Sequence, residues 1–173
     1  MTNNNGGKCG ASVYPRIDVA SIMLITSSCE EYALLGRKYN WPAGRYSTLA
    51  GFAEVGETME QCCIRETFEE SGVVVDPATL RFVASQPWPF PRSLMVGFRG
   101  KAAAEPGEEL PTIRIDENEM EDIQWFHRDF VREHLAGGGS TAANFQPNEK
   151  EERFHTPGLA SLGRMLIYQW ANE

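Results

Sequence analysis

Residues 51–73, GFAEVGETMEQCCIRETFEESGV, constrain the fold of this chain more than any other segment. No proline or glycine interrupts residues 58–71, Thr58 is a favourable N-cap, and Gly72 follows the last position. The pattern therefore predicts a helix over residues 58–71 with a loop at each end. On a helix, side chains at positions i, i+3 and i+4 share one face. Three carboxylates have this spacing: Glu66, Glu69 and Glu70.

Three carboxylates crowded on one helical face repel one another unless a cation lies between them. Hard divalent ions such as Mg²⁺ and Mn²⁺ prefer oxygen ligands, bridge phosphate oxygens and activate water. A bare E-x-x-E-E string is more often a solvated acidic face, so the three glutamates alone do not establish a metal site.

The spacing of the whole segment is more specific than the three glutamates. Gly51 is followed after five residues by Glu57, and after seven more by RETFEESGV, which begins at Arg65. This pattern resembles the Nudix box, GX5EX7REUXEEXGU, at every charged and glycine position; Thr67 occupies a position where an aliphatic residue is commoner. The resemblance implies an α/β fold, an α/β/α sandwich with a mixed sheet and a loop–helix–loop catalytic motif.

The resemblance also implies roles for the residues of the box. The implied catalytic residues and metal ligands are Glu66, Glu69 and Glu70. The implied structural residues are Gly51, Glu57, Arg65 and Gly72: an ion pair that braces the loop, and two glycines that permit turns. The implied cofactor is Mg²⁺ or Mn²⁺. Which glutamate acts as base for the attacking water stays open.

A late acidic segment, ENEMEDIQWF, supplies one more candidate metal ligand. Glu119 lies six residues before Trp125, and this spacing matches the late glutamate of the Nudix relatives that the chain resembles. Glu121 competes with it, because residues two apart on a strand share a face. The spacing favours Glu119.

A second motif, SQPWPFPRS, occupies residues 85–93. Its alternating prolines exclude a central strand and predict a stiff loop that presents Trp88 and Phe90. Exposed rigid aromatics suit base stacking or a protein interface. A proline-rich turn with both aromatics in the core is the alternative.

The motif resembles SQPWPFPxS, the signature of NADH pyrophosphatases, which split NAD(H) into nicotinamide mononucleotide and AMP and whose relatives remove NAD caps from RNA. The resemblance implies that the dinucleotide site includes Gln86, Pro87, Trp88, Pro89, Phe90, Pro91, Arg92 and Ser93. It adds Tyr14, a backbone contact at Ala50 and a base-stacking Phe52. Core packing is the alternative role for Tyr14 and Phe52.

Two other functions remain open at this stage. One is a Nudix hydrolase for another nucleoside diphosphate derivative, such as ADP-ribose or a dinucleoside polyphosphate. The other is a catalytically silent nucleotide-binding Nudix module, against which the complete set of box glutamates argues.

The expected organisation is a flexible segment over residues 1–13 and a Nudix domain over residues 14–173 with a flexible insertion at 136–157. Only Cys9 resembles the last corner of the four-cysteine zinc ribbon that usually precedes these domains, so no zinc is expected in this chain. Expected strands cover residues 19–26, 32–35, 46–50, 80–85, 94–101 and 120–126, and expected helices, besides 58–71, cover 128–135 and 159–170.

Composition narrows the partners and the compartment. The net charge of −8 makes a broad nucleic-acid-binding surface unexpected. No apolar run approaches the roughly 20 residues of a membrane span, and residues 1–7 lack an apolar signal core. We therefore expect an intracellular protein, in the cytoplasm, with no membrane partner. The subfamily resemblance implies a homodimer.

Overall fold

A computed structural model of the chain describes residues 16–104, 110–136 and 154–173. Its strands are β1 (Asp18–Thr26), β2 (Tyr32–Arg37), β3 (Leu49–Phe52), β4 (Val75–Trp88), β5 (Ser93–Ala102) and β6 (Asp122–His127). Its helices are α1 (Met59–Ser71), α2 (Arg128–Ala136) and α3 (Leu162–Ala171). Within these ranges, no helix is long and apolar enough to cross a membrane. The predicted segment 1–13 and Tyr14 lie outside the described residues.

The six strands form one mixed sheet in the order β4-β5-β1-β2-β6, and β3 pairs with β1. β1 runs parallel to β5 along residues 18–26. On its other side, β1 pairs first with β3 over residues 20–23 and then with β2 at residues 25–26, both antiparallel. The short strand β3 therefore lies at an edge of the sheet, and this edge positions the candidate site.

Alternate residues of β1 point into two separate hydrophobic cores. Met23 and Ile25 pack on the face that α1 covers, together with Cys63 of that helix. Ile22 and Leu24 pack on the opposite face, which α2 and α3 cover. Helices on both faces of a mixed sheet confirm the predicted α/β/α sandwich.

The predicted glutamate helix is confirmed to within one residue. Thr58 caps α1 through a capping box: its hydroxyl accepts from the backbone N–H of Gln61, and the Gln61 side chain accepts from the N–H of Thr58. Gly72 ends the helix in the left-handed conformation at φ 70°, and its N–H donates to the Phe68 carbonyl. Local capping alone thus fixes both ends of the helix.

The expectation that the alternating prolines confine residues 86–88 to a loop is wrong. β4 continues to Trp88, which pairs with Ser93 of β5. An extended strand tolerates Pro87 there because β4 is an edge strand, where a missing N–H leaves no ladder bond unmade. The turn itself covers only residues 89–92, and its Phe90–Pro91 peptide bond is cis.

The last helix begins later than predicted. α3 starts at Leu162, and Leu159, predicted to lie on its apolar face, is 69% exposed in the segment before it. The predicted insertion at 136–157 lies mostly outside the described residues. Its end is packed, because Phe154 is buried in the core beside α2 and α3.

Trp170 of α3 should be a principal source of stability. Its ring is fully buried, and its Nε1–H donates to the Glu30 carbonyl at 2.8 Å. We expect Trp170→Ala to lower the free energy of unfolding by about 3–5 kcal/mol in urea titrations. Tyr168→Ala is the matched control on the same helix, since Tyr168 is exposed and its replacement should cost less than about 1 kcal/mol. Equal losses for the two variants would contradict the assignment of the core.

Candidate metal and nucleotide site

Glu70 is the most buried carboxylate of the glutamate helix. It is 2% exposed, and burial raises its pKa to about 8. The Lys38 ammonium, 3.9 Å from its Oε1, and a backbone hydrogen bond from Ala50 oppose that rise, whereas the charges of Glu66 and Glu119 add to it. Glu70 is therefore a carboxylate that the fold holds at an energetic cost, which a further cation would relieve.

Gly51 allows Glu66 to approach the backbone of β3. A Cβ atom at position 51 would lie only 1.8 Å from Cδ of Glu66. The Nudix resemblance predicted that Gly51 permits a turn, but Gly51 lies within β3, and a glycine is required there for a close approach. Burial, and then the charges of Glu69 and Glu119, raise the pKa of Glu66, while Arg65 lowers it.

The structure distinguishes the two late glutamates. The backbone N–H of Asp116 donates to the Glu70 carbonyl at 3.1 Å, so the turn that carries Glu119 lies at the end of α1, and the charge of Glu119 raises the pKa values of both Glu66 and Glu70. Glu121 instead accepts a hydrogen bond from Arg37 at 3.1 Å. Sequence spacing favoured Glu119, and its role as a metal ligand stays a prediction.

Arg65 connects the carboxylates to β3. Its guanidinium donates to both carboxylate oxygens of Glu57, at 2.8 and 2.9 Å, and lowers the pKa of Glu57 to about 2. It also donates to Glu66 and Glu69 at 2.8 Å each and to the Phe52 carbonyl at 3.0 Å. A single guanidinium thus binds three carboxylates and holds the loop against the helix.

The donor chemistry fits a hard divalent ion, although the side chains do not yet converge. Among residues 16–104, 110–136 and 154–173, no three acidic, His or Cys side chains already form a metal-binding group. Glu66 and Glu69 point to Arg65, whereas Oε2 of Glu70 is buried with no hydrogen-bond partner there. Arg65 binds Oε1 of Glu66 and Oε2 of Glu69, so a cation would use their other oxygens, and it would satisfy the orphaned oxygen of Glu70.

Phe52 and Trp88, which are predicted to bind the bases, lie on the face of the sheet that is opposite to α1. Ala20 of β1 pairs with Phe52 of β3 and with Met95 of β5, and Met95 pairs with Gln86 of β4. Paired residues point to the same face, so Phe52 and Gln86 lie on one row. Trp88 lies two residues further along the same face; it and Phe52 are each at least half exposed.

A cavity of about 740 Å³ adjoins this row. It is lined by Arg45, Gln86, Pro87, Trp88, Pro89, Phe90 and residues 157–161. The Gln86 amide bonds the Ala160 carbonyl at 2.6 Å and accepts from the Leu162 N–H at 2.9 Å. Gln86 therefore holds the cavity wall, and both ends of its amide are already occupied.

The remaining residues of the second motif do not line this cavity. Arg92 lies 3.6 Å from the Asp18 carboxylate, and Ser93 begins β5. Pro91 belongs to the turn. Sequence reasoning missed Lys38 and Arg45, because both lie in the connection after β2, where no spacing rule marks them.

Together, these features define an α/β/α sandwich whose loop–helix–loop motif gathers carboxylates beside an edge strand. The NUDIX domain family model matches residues 15–147, and the chain belongs to the Nudix family. Nudix hydrolases use divalent metal ions such as Mg²⁺ or Mn²⁺.

Two curated relatives are similar along most of this chain. The NAD-capped RNA hydrolase NudC of Mycobacterium bovis (strain BCG / Pasteur 1173P2) is 41% identical over 162 residues, which are 94% of this chain and 47% of the relative. The NAD-capped RNA hydrolase NUDT12 of Homo sapiens is 38% identical over 157 residues, which are 91% of this chain and 30% of the relative. The chain thus spans less than half the length of either.

Solved structures share the fold at lower identity. The MutT NUDIX hydrolase from Burkholderia pseudomallei has a TM-score of 0.55 and 21% identity, with 90% of this chain and 98% of that chain covered. The MutT/nudix family protein from Enterococcus faecalis has a TM-score of 0.54 and 19% identity, with coverages of 68% and 46%. These likenesses support the fold alone.

Gly51→Ala should displace Glu66 and weaken metal binding. The added Cβ would overlap the Glu66 carboxylate, whereas a Cβ at Gly158 meets nothing within 4 Å. We expect Mn²⁺ to raise the Tm of wild type and of Gly158→Ala by mass action, and to raise that of Gly51→Ala much less. An equal rise in all three proteins would contradict the role of this close approach.

Glu70 should make the metal-free protein less stable as pH rises. Its pKa is about 8 in the folded chain and about 4.3 when unfolded, so the folded state binds more protons between these values. Stability from this group is present at low pH and is lost between about pH 4 and pH 8, on the order of a few kcal/mol.

Urea unfolding in EDTA at several pH values checks this expectation. Glu70→Gln removes the titrating group and should flatten that part of the profile, so that the variant gains stability over wild type as pH rises. Parallel profiles for the two proteins would show that Glu70 is not held at a raised pKa.

Proposed function

We propose that this chain hydrolyses the pyrophosphate bond of NAD(H), in a metal-dependent reaction that gives nicotinamide mononucleotide and AMP. The placement of the two half-sites around β3 carries the proposal. Glu66 approaches Gly51 on one face, and Phe52 lies on the other. Among the described strands, β3 pairs with β1 alone. We place the ligand across the second edge of β3, where its two ends would reach the two faces.

The carboxylate side of the site is assigned to the diphosphate. Glu66, Glu69, Glu70 and Glu119 would hold Mg²⁺ or Mn²⁺. When bound, such ions neutralise the diphosphate and lower the pKa of a coordinated water. The protein supplies the frame for these ligands: Arg65 and Glu57 keep the loop on the helix, and buried Glu70 carries an oxygen that has no hydrogen-bond partner among the described residues.

The aromatic side is assigned to the bases. Phe52 and Trp88 offer exposed rings on one face, and Pro87, Pro89 and Phe90 line the adjoining cavity. Stacking on such rings binds bases with little sequence demand. Gln86, Pro91, Arg92 and Ser93 support the loop and its strands. A backbone contact at Ala50 and a contribution from Tyr14 stay predictions of the resemblance.

The names of the relatives support this substrate class. Both are called NAD-capped RNA hydrolases, and each is similar over more than nine-tenths of this chain. Removal of the NAD cap from RNA is therefore a second proposed activity of the same site, since it breaks the same pyrophosphate bond. The homodimer and the intracellular, cytoplasmic location stay predictions.

Hydrolysis of NADH with Mg²⁺ or Mn²⁺ tests the proposal, with AMP and reduced nicotinamide mononucleotide followed by chromatography. Glu70→Gln should lower kcat/KM by at least about a hundredfold, because it removes an anionic metal ligand. Glu60→Gln is the matched control, since Glu60 is exposed in the first turn of the same helix.

The substrate panel decides between the proposal and its alternatives. NADH should give a higher kcat/KM than ADP-ribose and dinucleoside polyphosphates. A folded protein that prefers one of these would be a Nudix hydrolase of different specificity. A folded protein that cleaves none of them would be a silent binding module.

A further inference from the structure

An arginine side chain, Arg45, lines the cavity beside Trp88, and the proposed hydrolysis assigns no role to it. Of the described residues that line it, Arg45 is the only charged one. The other lining residues are prolines, aromatics, small residues, Leu159 and Gln86, whose amide is already engaged. An apolar nucleoside cavity with one arginine can distinguish ligands by charge.

Arg45 is held in place, and no carboxylate of the described residues neutralises it. Its backbone N–H donates to the Pro42 carbonyl at 3.1 Å, and it forms a parallel bridge with His155. Its guanidinium lies 5.1 Å from the centroid of the Trp41 ring. Its Nε is buried and has no hydrogen-bond partner, and no carboxylate of the described ranges forms an ion pair with it. A partly buried cation of this kind fits an external anion.

The anion that Arg45 would bind is not the diphosphate of the substrate. The proposed function assigns the diphosphate to the carboxylate cluster, where Glu66 and Glu70 pack beneath Gly51 and Ala50. A nucleotide whose base stacks near Trp88 has one other common anionic group, a phosphate on its ribose. Arginine pairs with phosphate through two parallel hydrogen bonds, and arginines elsewhere accommodate the 2′-phosphate of NADP.

We propose that Arg45 binds a phosphate carried by the adenosine ribose of the dinucleotide. Two substrates carry such a group: NADP(H) has a 2′-phosphate, and an NAD-capped RNA has a 3′-phosphate that leads into the chain. This inference rests on the proposed function, and it adds a specificity determinant to the same site.

Calorimetric binding of non-hydrolysable products tests Arg45 without any turnover. AMP, adenosine 2′,5′-bisphosphate and adenosine 3′,5′-bisphosphate are titrated into the full chain. At least one bisphosphate should bind roughly ten- to a hundredfold more tightly than AMP. A 2′ preference identifies NADP(H) as the source of the phosphate, and a 3′ preference identifies capped RNA.

Variants assign the effect to the guanidinium. Arg45→Met should abolish the preference for the bisphosphate, and Arg45→Lys should restore part of it. Arg81→Met is the matched control: Arg81 is exposed on β4 and donates to the Ala78 and Leu80 carbonyls, and its loss should leave the preference unchanged. Circular dichroism verifies that each variant is folded.

Two results would overturn the inference: neither bisphosphate binds more tightly than AMP, or the preference survives in folded Arg45→Met. Turnover of NADH and NADPH, expressed as kcat/KM, then distinguishes a failure of this inference from a failure of the proposed function. Turnover of NADH without any bisphosphate preference removes only the role of Arg45. An Arg45-dependent preference without turnover of any dinucleotide removes only the hydrolase.

Discussion

The ion pair between Arg65 and Glu57 is the interaction on which the site geometry depends. Its two short hydrogen bonds hold the loop before α1 against the helix, and a third bond from the same guanidinium reaches the Phe52 carbonyl. The carboxylate helix and the edge strand are thereby kept at a fixed distance. Arg65 also donates to one oxygen each of Glu66 and Glu69. A metal ion bound by these glutamates would share them with Arg65.

The burial of the Glu70 carboxylate gives the site a physical reason to bind a cation. Glu70 is enclosed with one oxygen unsatisfied, and its neighbours Glu66 and Glu119 carry the same charge. A folded chain that confines several carboxylates loses stability unless a counter-charge is supplied. The same cost gives the ion its affinity, since relief of the repulsion is part of the binding free energy. Glu70, which burial makes costly to ionise, is thus also one of the carboxylates that the proposed function assigns to the metal.

The helix and its carboxylates could be predicted because the residues that cap and space them lie close together in the sequence. Contacts between residues far apart in the sequence could not be predicted in this way. The caps at Thr58 and Gly72 act within a few residues, so both helix ends could be located from the sequence. The spacing to Trp125 favoured Glu119 over Glu121, but the physical reason, the capture of Glu121 by Arg37, joins residues 84 positions apart. The role of Gln86 depends on Ala160, 74 positions away, and the edge position of β4 depends on the whole sheet order. Contacts between residues so far apart produce no periodic pattern in the sequence.

We propose that Glu119 and the carboxylates of α1 act as one metal site. Titration of Mn²⁺ followed by electron paramagnetic resonance tests it most directly, in wild type, Glu119→Gln and Glu121→Gln. The two substitutions remove the same charge two residues apart; Arg37 holds Glu121, whereas the charge of Glu119 acts on Glu66 and Glu70. We expect Glu119→Gln to bind Mn²⁺ at least about tenfold more weakly than wild type, and Glu121→Gln to bind it like wild type. Equal affinity in wild type and Glu119→Gln would contradict it.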